Sequence, residues 1–259
     1  MQAKPSLEDT LSLMRDLRAR CEWDAAQTHE SLRPYLIEEA YEVDDAIRSG
    51  DDAKLREELG DLLLQILFHS VLAEERQAFT MHDVAAGFIK KMKGRHPHLY
   101  GEGERQPWEQ MKAKKRESIV DGLPADLPSL HRAFRLQDRA AGVGFDWPDV
   151  EGPIAKVKEE LDEVREELES APARPASAPP KYDDRHARVE SELGDLLFAV
   201  VNLCRKAGVH PALALDKANV KFATRFGAVE KMAVERGLTV GEASLEELDA
   251  LWDEVKARE

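Results

Sequence analysis

Two clusters of acidic residues are the part of this sequence best suited to chemistry. Each has the pattern ExxE followed by ExxD, once in each half of the chain. Residues three apart share a helix face, so two such helices packed antiparallel bring four carboxylates together. Adjacent carboxylates then repel by roughly 1–4 kcal/mol unless a cation lies between them. The eight candidate metal ligands are Glu39, Glu42, Glu58, Asp61, Glu160, Glu163, Glu192 and Asp195.

An all-oxygen ligand set predicts Mg²⁺, with Mn²⁺ as a substitute. A di-iron helical bundle would need Glu-x-x-His pairs on two helices, and the sequence contains no ExxH. One ExxE alone is common on a solvated helix, but the duplication argues against that interpretation. The apolar run 196–204 also predicts that the helix after Asp195 is buried, where a carboxylate needs a partner.

Basic and aromatic residues follow each acidic cluster in the same order. A lysine and an arginine one helical turn apart suit adjacent phosphates, and no GxxxxGK[ST] loop is present to do so instead. A tryptophan here is more often a core anchor than a base-stacking platform, yet each has a lysine one turn away. Asn202, two turns after Asp195, is placed to read a base edge, whereas the first copy has Phe68 there. The repeated pairs are Lys91 with Arg95, Trp108 with Lys112, Lys221 with Arg225, and Trp252 with Lys256.

Apolar residues recur at helical spacing and no segment alternates with period two, so we expect an all-α fold. The internal repeat predicts two domains, 1–120 and 129–259, joined by a Gly/Pro-containing linker at 121–128. A Pro/Ala tract at 171–180 predicts a surface loop. The predicted helices span 6–20, 31–48, 52–75, 80–94, 106–118, 129–141, 150–170, 184–207, 211–235 and 244–257.

Composition limits the kinds of partner that we expect for this protein. The 259 residues carry a net charge of −14, which disfavours nucleic acid as a partner. The apolar stretches are too short for a membrane span, no signal peptide is evident, and the two cysteines have no metal-ligand spacing, so we expect a soluble cytoplasmic protein. Apolar stripes that one copy cannot cover predict a homodimer, for example Leu62, Leu63, Ile66 and Leu67.

With these motifs together, the sequence resembles the two-domain bacterial form of the MazG family of nucleoside triphosphate pyrophosphohydrolases. The resemblance covers nearly the whole chain. It rests on Trp23-Asp24, Gln27-Thr28, Glu38-Glu39-x-x-Glu42, Glu58-Leu59-Gly60-Asp61-Leu62-Leu63, Arg95-His96-Pro97-His98, Gly144-Phe145-Asp146-Trp147, Glu192-Leu193-Gly194-Asp195-Leu196-Leu197-Phe198, Lys217-Ala218-Asn219 and Lys221-Phe222.

The resemblance implies a dimeric helical bundle that holds Mg²⁺ in the acidic motif and converts NTP and water to NMP and pyrophosphate, with a broad range of nucleoside triphosphates. The second domain would be the main catalytic unit. Glu160, Glu163, Glu192 and Asp195 would hold metal there. Glu159 would orient or deprotonate the water, and Lys221 and Arg225 would neutralise charge on the leaving group. The implied nucleotide-binding residues are Lys221, Arg225, Trp252 and Lys256. To these we add Asn202, from its polar place in the apolar helix, and Lys112 from the first-copy repeat.

Two other classes remain open at this stage. A helical regulatory dimer would bind nucleotide without releasing pyrophosphate, and a pyrophosphatase narrowed to one base, of dUTP or dCTP type, would ignore purine triphosphates. Stacking residues and one asparagine do not name a base.

Overall fold

Every regular element in the part of the chain that the structure describes is an α-helix, which confirms the predicted fold class. The computed structural model describes residues 4–101, 104, 108–113, 116–170 and 184–258, without the side chains at 108, 110 and 113. The predicted loop 171–180 therefore lies outside the described residues. None of the helices in these ranges is long and apolar enough to cross a lipid bilayer. Two compact units are present, Met1–Arg105 and Gln106–Glu259.

The first unit is built around a pair of long helices, α3 (His29–Ser49) and α4 (Asp52–Glu75), that pack against each other. Capping fixes where they begin: Thr28 and Ser31 form a reciprocal capping box at α3, and Asp51 accepts hydrogen bonds from the first amides of α4. Gly50, at φ 69°, ends α3 in the left-handed conformation and lets the chain reverse. The helices of this unit are α1 Leu7–Arg20, α2 Glu22–Ala26, α3 His29–Ser49, α4 Asp52–Glu75, α5 Met81–Arg95 and α6 Pro97–Tyr100.

The second unit repeats this pairing with α9 (Glu151–Glu169) and α10 (Asp184–Lys206). Arg188 Nε donates to Glu167 Oε2 at 2.9 Å and ties the far ends of the two helices together. A separate apolar cluster joins α11 to α12 through Val229, Met232, Ala233, Leu251 and Val255. The helices of this unit are α7 Trp108–Ala113, α8 Ser129–Gly142, α9 Glu151–Glu169, α10 Asp184–Lys206, α11 Pro211–Glu235 and α12 Leu245–Ala257.

The division between the two units falls earlier in the sequence than the linker predicted at 121–128. The reason is that α7 packs on α8. Glu109 accepts hydrogen bonds from Arg116 at 3.0 Å and Arg135 at 2.7 Å, and its backbone lies against Gly142, where a Cβ would come within 2.9 Å of the Glu109 Cβ. The segment before the predicted linker is thus part of the second unit.

Ten helices match predicted segments, although α7 is shorter than the predicted 106–118, and the short α2 and α6 were not predicted. The prediction that the helix following Asp195 is buried is wrong for one face. Leu197 is 59% exposed and Phe198 44%, while Ala199, Val201 and Asn202 are buried. Of the apolar stripe predicted to be exposed on α4, Leu67 instead lies in the core and Ile66 is 41% exposed.

Candidate active site

Three carboxylates of the second unit meet where α9 faces α10. One oxygen each of Glu160, Glu163 and Glu192 lies within 4.8 Å of the other two. Glu160 is only 5% exposed. Loss of solvent raises the pKa of the Glu163 carboxyl, and a hydrogen bond with Glu160 and the negative charges of Glu160 and Glu192 raise it further. The cluster therefore holds more negative charge than it can stabilise alone.

Lys156 supplies a cation to this cluster. Its Nζ lies 2.6 Å from Glu160 Oε1 and 2.9 Å from Glu159 Oε1. These two hydrogen bonds raise the pKa of the Lys156 ammonium, which stays charged at neutral pH. Sequence reasoning missed Lys156, although its position one turn before Glu160 was a signal for the pairing.

Asp195 does not join the three-oxygen cluster, and it is exposed. It instead lines a cavity of about 710 Å³ in the second unit, together with Glu160 and Lys156. A volume of this size fits a small-molecule ligand. Glu160 belongs to both features, so the acidic cluster opens directly into the cavity.

The cavity wall also carries aromatic rings and amides, beside aliphatic side chains and the charged pair Asp146 and Arg205. Phe145, Trp147 and Phe198 supply the rings, and Gln137 and Asn202 supply the amides. Gln137 is 6% exposed and donates from Nε2 to the Phe198 carbonyl at 2.8 Å. Because apolar walls with a few placed polar groups are typical of ligand sites, this wall suits a flat, partly polar molecule such as a nucleobase.

The aromatic wall depends on how the segment before α9 is fixed. A Cβ at Gly152 would lie 2.0 Å from Trp147 Cδ1, so only glycine lets the indole rest on the first turn of α9. Lys206 Nζ donates to the Trp147 carbonyl at 2.6 Å, and Arg205 pairs with Asp146. Burial raises the pKa of Asp146, but the hydrogen bonds and charges of Arg205 and Lys206 outweigh it and hold the pKa below its usual value.

The first unit holds the matching acidic cluster. Oxygens of Glu39, Glu58 and Asp61 lie within 4.8 Å of one another. Glu42, the fourth predicted ligand, lies outside this group. Burial raises the pKa of Glu39, as do the charges of Asp61, Glu42 and Glu58, and one buried oxygen of Glu39 has no hydrogen-bond partner among the described residues. Each unit thus gathers three of the four predicted ligands into one cluster.

The two units differ at one pair of equivalent positions, seven residues after the ExxD aspartate. In the second unit Asn202 faces the cavity. In the first unit Phe68 is 2% exposed and packs in a core with Leu11 and Met14, with the Trp23 ring edge-on at 6.5 Å. The first unit therefore uses as hydrophobic core the position that the second uses for a polar wall.

Asn202 apart, the predicted phosphate and nucleotide residues of the second unit lie elsewhere. Lys221 and Arg225 are on α11, and Trp252 and Lys256 are on α12; none of the four is among the described residues that line the cavity. Trp252 packs against the α11–α12 core, 5.4 Å from the Phe222 ring, with the Arg225 guanidinium 5.8 Å from its centroid. That placement agrees with a core anchor.

The two other predicted residues lie on α9 and α7. Glu159 is 57% exposed and paired with Lys156. Lys112 is half-buried on α7. The predicted substrate roles of Lys112, Lys221, Arg225, Trp252 and Lys256, and of Glu159 towards water, stay predictions.

Known proteins match this chain over both units. The nucleoside triphosphate pyrophosphohydrolase/pyrophosphatase MazG of Thermotoga maritima is 42% identical over 258 residues, covering 96% of this chain and 95% of that protein. The nucleoside triphosphate pyrophosphohydrolase of Escherichia coli K12 is 40% identical over 258 residues, covering 95% and 94%. That of Mycobacterium tuberculosis is 39% identical over 166 residues, covering 60% of this chain and 51% of its own.

The family model described as the MazG nucleotide pyrophosphohydrolase domain matches twice, over residues 27–100 and 150–229. The first match contains the Glu39–Glu58–Asp61 cluster and the second contains Glu160, Glu163 and Glu192. The model thus covers both acidic clusters, one in each compact unit. The chain belongs to the MazG family of nucleotide pyrophosphohydrolases and carries its domain in tandem.

Proposed function

We propose that this protein hydrolyses nucleoside triphosphates to the monophosphate and pyrophosphate with Mg²⁺, and that it accepts a broad range of ribo- and deoxyribonucleotides. One observation carries the proposal: Glu160 is shared by a cluster of three carboxylates and by a cavity with aromatic and amide walls. A triphosphate bridges those two environments, since its charged end needs cations and its base needs a flat apolar wall. The names of the full-length relatives agree with this activity.

The residues present fit a divalent metal. All donors are carboxylate oxygens, which Mg²⁺ prefers. Loss of solvent raises the pKa of Glu163, as do its hydrogen bond with Glu160 and the negative charges of Glu160 and Glu192, and a cation is the group that would offset these effects. Glu160, Glu163 and Glu192 would hold the metal, with Asp195 beside them on the cavity wall. When bound, Mg²⁺ supplies charge neutralisation for the polyphosphate and a lowered pKa for a coordinated water.

The chain's own groups have separate tasks in this proposal. Lys156 lies at the junction of cluster and cavity, where its ammonium can leave Glu160 for a phosphate oxygen. Glu159 is exposed beside it and is our proposed acceptor for the proton of the attacking water. Lys221 and Arg225 are the proposed partners of the leaving pyrophosphate.

We propose that the second unit is the main catalytic unit and that the protein works as a homodimer. Phe68 packs in the hydrophobic core at the position where the second unit has Asn202 on its cavity wall. This difference supports the second unit as the main catalytic unit. Exposed apolar side chains on α10, including Leu193 at 43% and Leu197 at 59%, support a covering partner surface.

The test is an assay of products and metal dependence. Purified protein is incubated with the eight common NTPs and dNTPs, and nucleotide and pyrophosphate are quantified with and without Mg²⁺. We expect NMP and pyrophosphate in equal amounts, abolished by excess EDTA. Release of NDP and phosphate, or turnover unaffected by EDTA, would contradict the proposal, and nucleotide binding without turnover would favour a regulatory dimer.

A further inference from the structure

Arg205 makes a fixed hydrogen-bonded bridge inside the cavity wall. Its Nε and Nη2 donate to Asn202 Oδ1 at 3.0 and 2.8 Å. On its other side, Nη1 donates to Asp146 Oδ2 at 3.2 Å, and Nη2 also donates to Asp146 Oδ1. Asn202 is 9% exposed and the Arg205 side chain 11%. All three residues line the cavity, so the bridge is part of its surface.

The chemistry of this bridge determines which way the Asn202 amide points. A guanidinium has only donors, so the atom facing Arg205 must be the amide oxygen. A rotated amide would set its NH₂ group against two N–H donors. Asp146 holds the guanidinium from behind and keeps it from following such a rotation. The end of the amide that Arg205 does not occupy is therefore Nδ2, a hydrogen-bond donor.

We infer that Asn202 selects the base of the substrate by donating from Nδ2, and that Arg205 is the residue that positions it. This inference rests on the proposed binding of a nucleotide in the cavity. A donor on the wall favours bases with a carbonyl oxygen at the facing edge, such as uracil, thymine, guanine and hypoxanthine. Cytosine and adenine present an amino group at the corresponding atom, and two donors would face each other in a largely buried site.

The size of the effect follows from what a buried mismatch costs. Sites built to hydrogen-bond one substrate group reject an analogue that leaves buried polar atoms unpaired far more strongly than apolar pockets reject a methylene. The cavity is open to solvent, since Phe145 on its wall is 82% exposed and Asp195 is exposed as well, so we expect a modest version of that effect. Within each of the pairs UTP/CTP and ITP/ATP, kcat/KM should favour the carbonyl base by at least about 10-fold.

Three substitutions separate the effect of the Asn202 amide's orientation from the effect of added charge and from the effect of removing the amide. Asn202→Asp keeps the shape and the bond to Arg205 but turns the cavity-facing donor into an acceptor, so the UTP/CTP preference should reverse. Asn202→Leu removes the amide, so the ratio should approach one. Arg205→Lys leaves a cation for Asp146 but loses the pair of hydrogen bonds to Asn202 Oδ1, so discrimination between UTP and CTP should weaken. Ala207→Asp, at an exposed position just after α10, adds the same charge as a control and should keep the wild-type ratio.

Two measurements make the result decisive. The first is kcat/KM for the four triphosphates. The second is the dissociation constant of UMP and of CMP by calorimetry, which needs no turnover. If the wild-type enzyme turns over all substrates and Asn202→Asp leaves both ratios unchanged, the inference is overturned while the proposed function stands. If no triphosphate is hydrolysed but UMP binds more tightly than CMP and Asn202→Asp reverses this, the proposed function fails and the inference stands. Circular dichroism confirms that each variant is folded.

Discussion

Replacing Glu160 by glutamine tests the acidic cluster with the least disturbance to the fold. Glutamine has nearly the same shape and keeps an oxygen that can accept the 2.6 Å hydrogen bond from Lys156. It removes one negative charge from a side chain that is 5% exposed. Glu39→Gln makes the same change at the equivalent position of the first unit, where the side chain is half-buried. The two variants form a matched pair.

The geometry gives the expected magnitude. Oxygens of Glu160 and Glu192 come within 4.8 Å of each other. Two unit charges at that separation repel by about 3.5 kcal/mol at an effective dielectric constant of about 20. This repulsion is what a divalent cation relieves, so removing one charge should weaken metal affinity by a factor of about 10² to 10³. A loss of about 10² to 10³ in kcat/KM should follow, as when a charge-stabilising group is removed from a transition state.

The assay combines pyrophosphate release with thermal unfolding. For the wild-type protein, Mg²⁺ at 100 times its dissociation constant should stabilise the second unit by about 2.7 kcal/mol, or roughly 5–10 °C in Tm. Glu160→Gln should lose both this rise and the activity, whereas Glu39→Gln should keep most of the turnover. If Glu39→Gln abolishes activity and Glu160→Gln does not, the roles of the units are reversed. If neither variant reduces activity, the carboxylate cluster is not the metal site.

Three further outcomes are expected. Phe68→Ala should destabilise the first unit by about 3–5 kcal/mol, seen as a lower urea midpoint, because Phe68 is 2% exposed, and should leave turnover nearly intact. The pKa values of Glu39 and Glu163 are raised, so both carboxyls take up protons earlier as pH falls from neutrality towards the usual carboxyl pKa of 4.5. More Mg²⁺ should then be needed for the half-maximal rate, and the metal-free fold should gain stability. A Mg²⁺ requirement that does not change with pH would contradict this. Leu197→Asp should convert a dimer to a monomer in light scattering, and a wild-type mass near 29.1 kDa would refute the dimer.

Much of the fold follows from the sequence because helical periodicity and capping act locally. Thr28, Asp51, Thr80 and Ser244 each accept a hydrogen bond at the start of a helix whose position the sequence predicts within two or three residues. The boundary between the units did not follow in this way. It depends on Glu109 meeting Arg135, a contact 26 residues apart that no local pattern encodes.

The candidate site likewise has features that local sequence predicts and features that depend on tertiary packing. The carboxylate pairs follow from helix geometry, so their convergence across α3–α4 and α9–α10 could be predicted. Membership of the cluster could not, because helix spacing does not fix side-chain orientation: Glu42 lies outside the first cluster, and Asp195 lines the cavity instead of joining the second. Burial after Asp195 was overestimated, since composition does not tell which apolar face the same chain covers and which it leaves open, as at Leu197.

The duplicated architecture explains how one copy can specialise without loss of the fold. The residue seven positions after the ExxD aspartate lies in the hydrophobic core of the first unit and on the cavity wall of the second. With Phe68, the first unit gains a fully buried ring and a larger core. With Asn202, the second unit leaves that core unfilled and needs Arg205 and Asp146 to satisfy the amide. Arg205 satisfies the amide oxygen, so the donor Nδ2 is the part of Asn202 left for a ligand in the cavity, which is a physical reason to expect substrate discrimination in the second unit.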